Sequence, residues 1–135
     1  MATKVLDSWA LLTFFQGEAS APLVKKILLE AELGRHQLLM CVVNWGEVYY
    51  SILRRRSVET AEAIAREIAA MPIELVPVEA DLQLVWQAAQ FKASGKLAYA
   101  DAFAAALAKL RHAELVTGDP DFQAVAGEIK IGWLK

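Results

Sequence analysis

The amino-acid sequence predicts an α/β fold with three layers, in which a mainly parallel sheet of four to five strands has helices on both faces. Two observations carry this prediction. Short apolar runs alternate with pairs of longer helical segments along the chain. One run, residues 38–43, is apolar throughout, as expected of a parallel strand that is covered on both faces. A length of 135 residues suits one domain, so residues 1–135 are expected to form a single unit.

The first half of the chain predicts two strands and four helices. Pro22 is tolerated in the first turn of a helix, and Gly34 supplies a stop signal for the same helix. The arginines at 54–56 suit the negative end of a helix dipole, and Ser57 is a typical cap for the next helix. In chain order, the predicted elements are a strand at 4–6, helices at 9–15 and 22–33, a strand at 38–43, and helices at 44–56 and 58–71.

The second half predicts up to three further strands. Pro72 and Pro77 limit one of them to a sheet edge or to strand ends, because proline cannot donate a hydrogen bond to a neighbouring strand. The predicted elements are a strand at 73–78, helices at about 80–93 and at 98–112, a strand at 114–117 that leads into a turn at 118–121, and a strand at 130–134.

The composition favours a protein with a binding partner. Hydrophobic residues make up 56% of the chain and the mean hydropathy is +0.32, above the roughly 45–50% apolar usage of an average domain. This excess predicts a large core or an apolar surface for a partner, such as a second copy of the chain. No apolar stretch approaches the ~18 residues of a membrane-spanning helix, and no secretion signal is recognisable, so the cytoplasm is the expected compartment.

The charge balance argues against a strongly basic surface for nucleic acid, since the net charge is −2 and the pI is near 5.7. It does not exclude a nuclease. Clustered carboxylates lower the net charge, and a bound divalent cation inverts the local field where a phosphate approaches. Cys41, the only cysteine, lies in an apolar run and is expected to be a buried packing residue.

Three carboxylates follow predicted strands. Asp7 ends the first strand, Glu47 lies shortly after the second, and Asp119 follows the strand that ends at residue 117. Because the carboxyl ends of parallel strands lie at one edge of a sheet, these side chains are expected to approach one another. Asp7 is also suited to cap the helix after it. Asp121 competes with Asp119 for the last position, or caps a short helix instead.

Glu47 has a second interpretation. It lies three residues after Asn44, which is the spacing of a capping box in which the glutamate accepts a hydrogen bond from the backbone N–H of the cap residue. A place in the first helical turn after the second strand also puts Glu47 at the same sheet edge as Asp7. The two roles are compatible, and the sequence leaves both open.

Asp101 is the most informative acid. It is the only charged residue between Lys96 and Lys109, in a helix that is otherwise rich in alanine and therefore suited to close packing against the sheet. A carboxylate buried there would have a raised pKa unless it reached solvent, a hydrogen-bond donor or a metal ion. The alternative is a solvated side chain on the outer face of the helix.

Converging carboxylates would repel one another without a cation. Oxygen ligands suit Mg²⁺ or Mn²⁺, and the sequence has no cluster of cysteine and histidine typical of zinc. The pattern therefore predicts a divalent-metal phosphodiesterase with one or two ions. The predicted acidic site consists of Asp7, Glu47, Asp101 and Asp119.

Four short segments carry a further signal, namely residues 5–8 (VLDS), 44–48 (NWGEV), 100–106 (ADAFAAA) and 117–122 (TGDPDF). In order and spacing they resemble the motifs of the PIN-domain family, and more specifically of the small VapC-type ribonuclease toxins. The resemblance covers essentially the full length. One departure is Trp9, because similar proteins often carry a small polar residue at that position.

The resemblance implies a PIN-like fold and a Mg²⁺- or Mn²⁺-dependent endoribonuclease, usually a homodimer that a small antitoxin neutralises. RNA is then the substrate, and a metal-activated water hydrolyses its phosphodiester bonds. Glu47 would be a metal ligand or the base that orients this water. By matching position, the acids are Asp7, Glu47, Asp101 and Asp119, with Asp121 as a less certain ligand, and the polar supports are Ser8, Asn44 and Thr117.

Contacts to RNA are less clearly marked. The basic run at 54–56 suits phosphate, and Trp45, Tyr49 and Tyr50 are aromatic groups of the kind on which bases stack. The sequence favours another interpretation, in which the arginines form a solvated helix end and the aromatic residues belong to the core or to a dimer interface.

Two other functions stay open. An acidic-site phosphatase or phosphoacceptor domain would use a similar fold, but the segment after the first strand, Asp7-Ser8-Trp9, lacks the second aspartate of an Asp-x-Asp pair. A non-catalytic protein-binding module would use the acids as caps and surface charges, and the apolar excess as its interface.

Overall fold

The framework of the protein is one sheet of parallel strands in the order β3-β2-β1-β4-β5. The computed structural model describes residues 2–134, so Met1 and Lys135 lie outside the described part of the predicted unit. The parallel sheet confirms the predicted α/β class. The strands are β1 (Ala2–Leu6), β2 (His36–Cys41), β3 (Ile73–Val76), β4 (Glu114–Thr117) and β5 (Ile131–Trp133).

Helices connect the strands. Across residues 2–134, none of them combines the length and the apolar character that a membrane-spanning helix needs. The helices are α1 (Ser8–Phe15), α2 (Ala21–Glu32), α3 (Val42–Arg55), α4 (Val58–Ala69), α5 (Gln83–Ser94) and α6 (Tyr99–Leu110), and a 3₁₀ helix spans Pro120–Val125.

Two apolar cores on opposite faces of the sheet produce the three layers. Consecutive strand residues alternate between the faces, so Leu39 packs with α5 and α6, whereas Leu38 and Met40 pack with α1 to α4. Helix α6 contributes alanines that are almost completely buried, because small side chains let the helix lie close to the strands. These alanines are Ala102, Ala104, Ala105, Ala106 and Ala108.

The strand order contains one point at which the chain changes its direction of travel across the sheet. From β1 the chain moves outward to β2 and then to β3, and it later returns to β4 on the other side of β1. Ligands of open α/β sheets bind at such a switch point, in the crevice beyond the carboxyl ends of the strands. The fold therefore marks the ends of β1 and β4 as the place to look for a site.

The boundary predicted between β2 and α3 is wrong. The strand ends at Cys41 and the helix begins at Val42, two residues earlier than the apolar run suggested. Pairing between β2 and β3 extends only to Cys41, while Val43 packs against the same core from the first turn of the helix. Apolar character alone cannot distinguish these two environments.

Two details of the β3–α5 region also follow from local chemistry. β3 is an edge strand, as its flanking prolines predicted. Helix α5 begins at Gln83 and not near residue 80. Asp81 accepts a hydrogen bond of 3.1 Å from the backbone N–H of Gln83, and Leu82 has a left-handed φ of +66°, which no α-helix contains.

Candidate metal centre

Asp7 lies at the switch point, directly after β1. Its side chain is almost completely buried, and Oδ1 accepts a hydrogen bond of 2.9 Å from the backbone N–H of Ala10. This bond caps α1, so the capping role predicted for Asp7 is confirmed. The cap uses only one of the two carboxylate oxygens.

Thr117 joins the end of β4 to the end of β1. Its hydroxyl donates to Oδ2 of Asp7 at 2.5 Å and accepts a hydrogen bond of 3.0 Å from the backbone N–H of Asp119. Thr117 is fully buried. These two bonds fix the carboxylate of Asp7 and the start of the loop that carries Asp119.

Asp101 lies in the first turn of α6 and is 9% exposed. The alternative of a solvated side chain on the outer face of the helix is therefore wrong. Its pKa is raised to about 7, first by burial and then by the negative charges of Glu47, Asp119 and Asp121. The alanine-rich helix thus holds a carboxylate that does not ionise easily by itself.

Glu47 lies in the second turn of α3, because that helix begins at Val42. The cap residue is Cys41, so Asn44 is part of the helix and the predicted capping box is wrong. Oε1 of Glu47 instead accepts hydrogen bonds from the Ser8 hydroxyl at 2.8 Å and from the Asn44 side-chain amide at 3.5 Å. Glu47 is therefore held by a residue of α1 and by its own helix.

Asn44 connects two of the helices that carry acids. Its Nδ2 also donates to the backbone carbonyl of Ala100 at 3.0 Å, one residue before Asp101. Its Oδ1 is buried and has no hydrogen-bond partner among residues 2–134. A buried acceptor without a donor indicates that a group from outside the chain, such as a water molecule, completes this region.

Asp119 and Asp121 both lie near Asp101. Oδ1 of Asp119 accepts a hydrogen bond of 2.9 Å from the backbone N–H of Asp121 and so caps the 3₁₀ helix. One carboxylate oxygen from each of these three residues lies within 4.8 Å of the other two. Proximity therefore does not force a choice between Asp119 and Asp121. We call the five acids Asp7, Glu47, Asp101, Asp119 and Asp121 the acidic cluster.

Among the residues that the structure describes, no lysine or arginine forms an ion pair with the acidic cluster. Within the described residues, the ion pairs formed by lysine and arginine involve other carboxylates. Burial raises the pKa of Asp7 to about 7, against the hydrogen bonds from Thr117 and Ala10, which lower it, and the charges of Asp101 and Asp119 raise it as well. Such a set of oxygen donors fits a hard divalent cation such as Mg²⁺ or Mn²⁺.

Trp9 packs against the loop that follows β4. A Cβ atom built on Gly118 would lie 2.7 Å from Cζ2 of the Trp9 ring and closer still to Cη2 and Cζ3. Gly118 is not among the residues with positive φ, so its backbone conformation does not require glycine. The indole ring is what excludes a side chain at this position. A glycine between a strand end and Asp119 was visible in the sequence, but its partner was not.

The aromatic and basic residues of α3 have other contacts. Tyr49 stacks on Trp45 with ring centroids 5.4 Å apart, donates a hydrogen bond to Glu62, and packs with Trp45 against the core. The interpretation of these two residues as packing groups is therefore confirmed. Arg54 lies over the ring of the exposed Tyr50, 5.6 Å from its centroid.

Comparison with known proteins identifies the family. The family model described as the PIN domain matches residues 4–128. The chain therefore belongs to the PIN domain family. Among curated proteins, none matches this sequence.

Solved structures with the same fold include complexes of toxin–antitoxin systems. VapBC2 from Rickettsia felis, bound to a promoter DNA fragment, has a TM-score of 0.75 at 14% identity, over 98% of this chain and 99% of that chain. DNA-bound VapBC from Salmonella typhimurium gives 0.74 at 15% identity over 100% of both chains. Mycobacterium tuberculosis VapC20, a toxin that cleaves the sarcin-ricin loop, gives 0.71 at 20% identity, over 96% and 98%. At these identities the likeness establishes the fold.

Proposed function

We propose that this protein is a divalent-metal-dependent endoribonuclease and the toxin of a toxin–antitoxin pair. The observation that carries the proposal is the acidic cluster, in which carboxylates from separate segments of the chain meet at the switch point without a compensating lysine or arginine from residues 2–134. Membership of the PIN domain family and the likeness to VapC20, a toxin that cleaves the sarcin-ricin loop, support RNA as the substrate.

The proposed metal ligands are the acids whose oxygens lie closest together, Asp101, Asp119 and Asp121. Asp7 is proposed as a further ligand, directly or through water, because its pKa responds to the charges of Asp101 and Asp119. A bound Mg²⁺ or Mn²⁺ would activate a water for in-line attack at phosphorus and stabilise the charge of the transition state. A cluster of this size accommodates one ion or two.

Glu47 is proposed to orient the attacking water or to complete the ligand set. Both hydrogen bonds that it accepts within residues 2–134 end on Oε1, from Ser8 and Asn44. The carboxylate is thus fixed before substrate arrives, and Oε2 is the atom proposed to accept a proton or a hydrogen bond from water. Such preorganised groups contribute most in a site from which bulk water is excluded.

The proposed partners are a small antitoxin and a second copy of the chain, and the proposed compartment is the cytoplasm. Solved structures of this fold include VapBC complexes, and VapBC is a family of toxin–antitoxin systems. Exposed large apolar side chains on this chain also support a partner, because an apolar surface is what such a partner would cover. Those on α3 and β3 are Val42, Tyr50, Leu53 and Leu75.

The proposal is tested with purified protein, freed of any small protein that co-purifies with it. We expect cleavage of a structured RNA in Mg²⁺ or Mn²⁺, loss of cleavage in EDTA, and recovery when the metal is added back. Thermal unfolding in increasing Mn²⁺ gives a second readout, since ligand binding to the native state raises its stability. Cleavage that persists in EDTA would contradict metal dependence, and no response to metal in either experiment would favour the binding module.

A further inference from the structure

We propose that Trp9 is a positioning residue for the metal centre, because its indole ring holds Gly118 and thereby fixes the carboxylate of Asp119. The inference rests on the proposed function, since it concerns how the same acids are held. It assigns a role to a residue at which the sequence departs from the pattern of similar proteins.

Three consecutive residues, Asp7 and the first two of α1, contact two parts of the acidic region, namely α3 and the segment at the end of β4. Asp7 accepts a hydrogen bond from Thr117, and Ser8 donates one to Glu47. Trp9 is the third, and its ring lies against Gly118. The start of α1 therefore contacts both α3 and the loop after β4, and helps to fix their positions.

The contact with Gly118 acts on Asp119 directly, because the two residues are neighbours in the chain. On the other side of Gly118, Thr117 is fixed by its bonds to Asp7 and to the backbone N–H of Asp119. Those hydrogen bonds hold the loop from the strand side. The indole ring occupies the space beside Gly118 where a side chain would lie, so a shift of Gly118 in that direction is blocked by the ring.

Trp9 is itself held in place. It packs against the core formed by α1 to α4, and Asp7 caps the helix that carries it. An aromatic ring has only two side-chain torsions, so little freedom is lost when it serves as a rigid surface. Trp9 and Gly118 are complementary in size, because tryptophan has the largest side chain and glycine has none.

The decisive measurement is the affinity for Mn²⁺, determined by calorimetry on the full chain far below its melting temperature. We expect Trp9→Ala to weaken binding about tenfold or more, as loss of groups that orient metal ligands does. Trp9→Phe should recover most of the affinity, because it restores a ring. Trp86→Ala is the matched control, since Trp86 is 62% exposed on α5, and it should bind Mn²⁺ as the wild type does.

A reciprocal variant tests the contact itself. Gly118→Ala should weaken Mn²⁺ binding because the new methyl group meets the ring. The double variant Trp9→Ala/Gly118→Ala should bind more tightly than Gly118→Ala alone, because removal of the ring makes room for the methyl group. A double variant that binds no better than Gly118→Ala contradicts the complementarity.

A readout without metal separates positioning from general stability. In Trp9→Ala, amide hydrogen exchange should accelerate at Asp119 and Asp121, whose N–H groups are bonded within the loop, and stay unchanged in the middle of α6. Unchanged exchange at Asp119, together with wild-type Mn²⁺ affinity in Trp9→Ala and Gly118→Ala, overturns this inference alone. If the wild type binds no Mn²⁺, the proposed function and this inference both fail.

Discussion

One carboxylate lies at the start of strand β4 and another lies just beyond its end. The two differ in how their negative charge is compensated. At its start, Glu114 accepts a hydrogen bond of 2.7 Å from Lys4 and lies 3.5 Å from the ammonium of Lys130. Burial favours a raised pKa for Glu114, but the two lysines outweigh it and the pKa is lowered. Beyond the other end, Asp119 joins a group in which burial and mutual repulsion raise the pKa of both Asp7 and Asp101.

The difference lies in the source of the positive charge. At one edge of the sheet the chain supplies lysines, and the carboxylate is ionised in an internal ion pair. At the other edge the described residues supply hydroxyl, amide and backbone N–H donors, which orient the acids without neutralising them. A cation from solution would compensate the charge of a site of the second kind, and that is the property expected of the proposed metal centre.

The largest expected effect comes from a substitution that removes one charge at the acidic edge. Asp101→Asn should lower RNA cleavage about a thousandfold, because it removes a proposed metal ligand while keeping the shape of the side chain. The matched control is Glu114→Gln, which removes a carboxylate at the opposite edge and should leave the cleavage rate unchanged. Single-turnover cleavage of a structured RNA measures both. Equal losses in the two variants would contradict the division between the edges.

The next effect concerns the stability of the metal-free protein. Because the folded pKa of Asp7 is about 7 and its unfolded pKa is about 3.9, the native state binds more protons between these values. The free energy of unfolding should therefore fall as the pH rises from about 4 to 7, by up to about 4 kcal/mol from this residue. Urea unfolding in EDTA at pH 4 and pH 8 measures the change.

The control for this experiment is Asp7→Asn, which cannot titrate at this position and should reduce the pH dependence to the part that Asp101 contributes. Added Mn²⁺ should restore stability at the higher pH, where the acids are ionised and bind the ion. A wild-type protein that is equally stable at both pH values without metal would rule out the raised pKa.

The affinity for metal should rise with pH, whereas the stability of the metal-free protein should fall. Protons on Asp7 and Asp101 must leave before these carboxylates bind a cation, so Mn²⁺ binding should strengthen about tenfold per pH unit for each proton displaced, up to about pH 7. Calorimetry in two buffers of different ionisation enthalpy counts the protons released. Affinity that is independent of pH, with no proton release, is the contrary result.

The smallest effect is expected at the edge of the sheet where Glu114 pairs with Lys4 and Lys130. Glu114→Gln should cost about 0.5 kcal/mol at neutral pH, since partly exposed ion pairs contribute little, and the difference should shrink in high salt. The contribution of Glu114 to the free energy of unfolding changes with pH in the opposite direction to that of Asp7. Because the folded pKa of Glu114 is lowered, this stability is present at neutral pH and is lost on acidification. Chemical unfolding of both proteins at pH 7 and pH 3 tests the sign.

The features of the fold that the sequence predicted are those governed by local pattern. Parallel strands end where apolar runs end, so Asp7 and Asp119 were expected at one sheet edge, and the structure places them there. Asp101 was expected in a tightly packed helix because its neighbours are alanines, and its burial agrees with this. The catalytic roles of these acids stay predictions.

The features that the sequence could not predict depend on contacts between distant segments. The apolar run at 38–43 hid the change from strand to helix at Cys41, because Val42 and Val43 look like strand residues. The capping box failed for the same reason, since it assumed that Asn44 precedes the helix. The partner of Ser8 is Glu47, in another helix, and no local pattern contains that information.

The close contact of Trp9 with Gly118 also has a consequence for sequence variation. A methyl group at position 118 is excluded only while position 9 carries the indole ring. The two residues are therefore not free to change independently. In PIN domains that carry a small side chain at the position of Trp9, the position of Gly118 should tolerate a side chain. Tryptophan at the position of Trp9 should therefore occur only together with glycine at the position of Gly118, whereas that glycine is compatible with other residues at the first position.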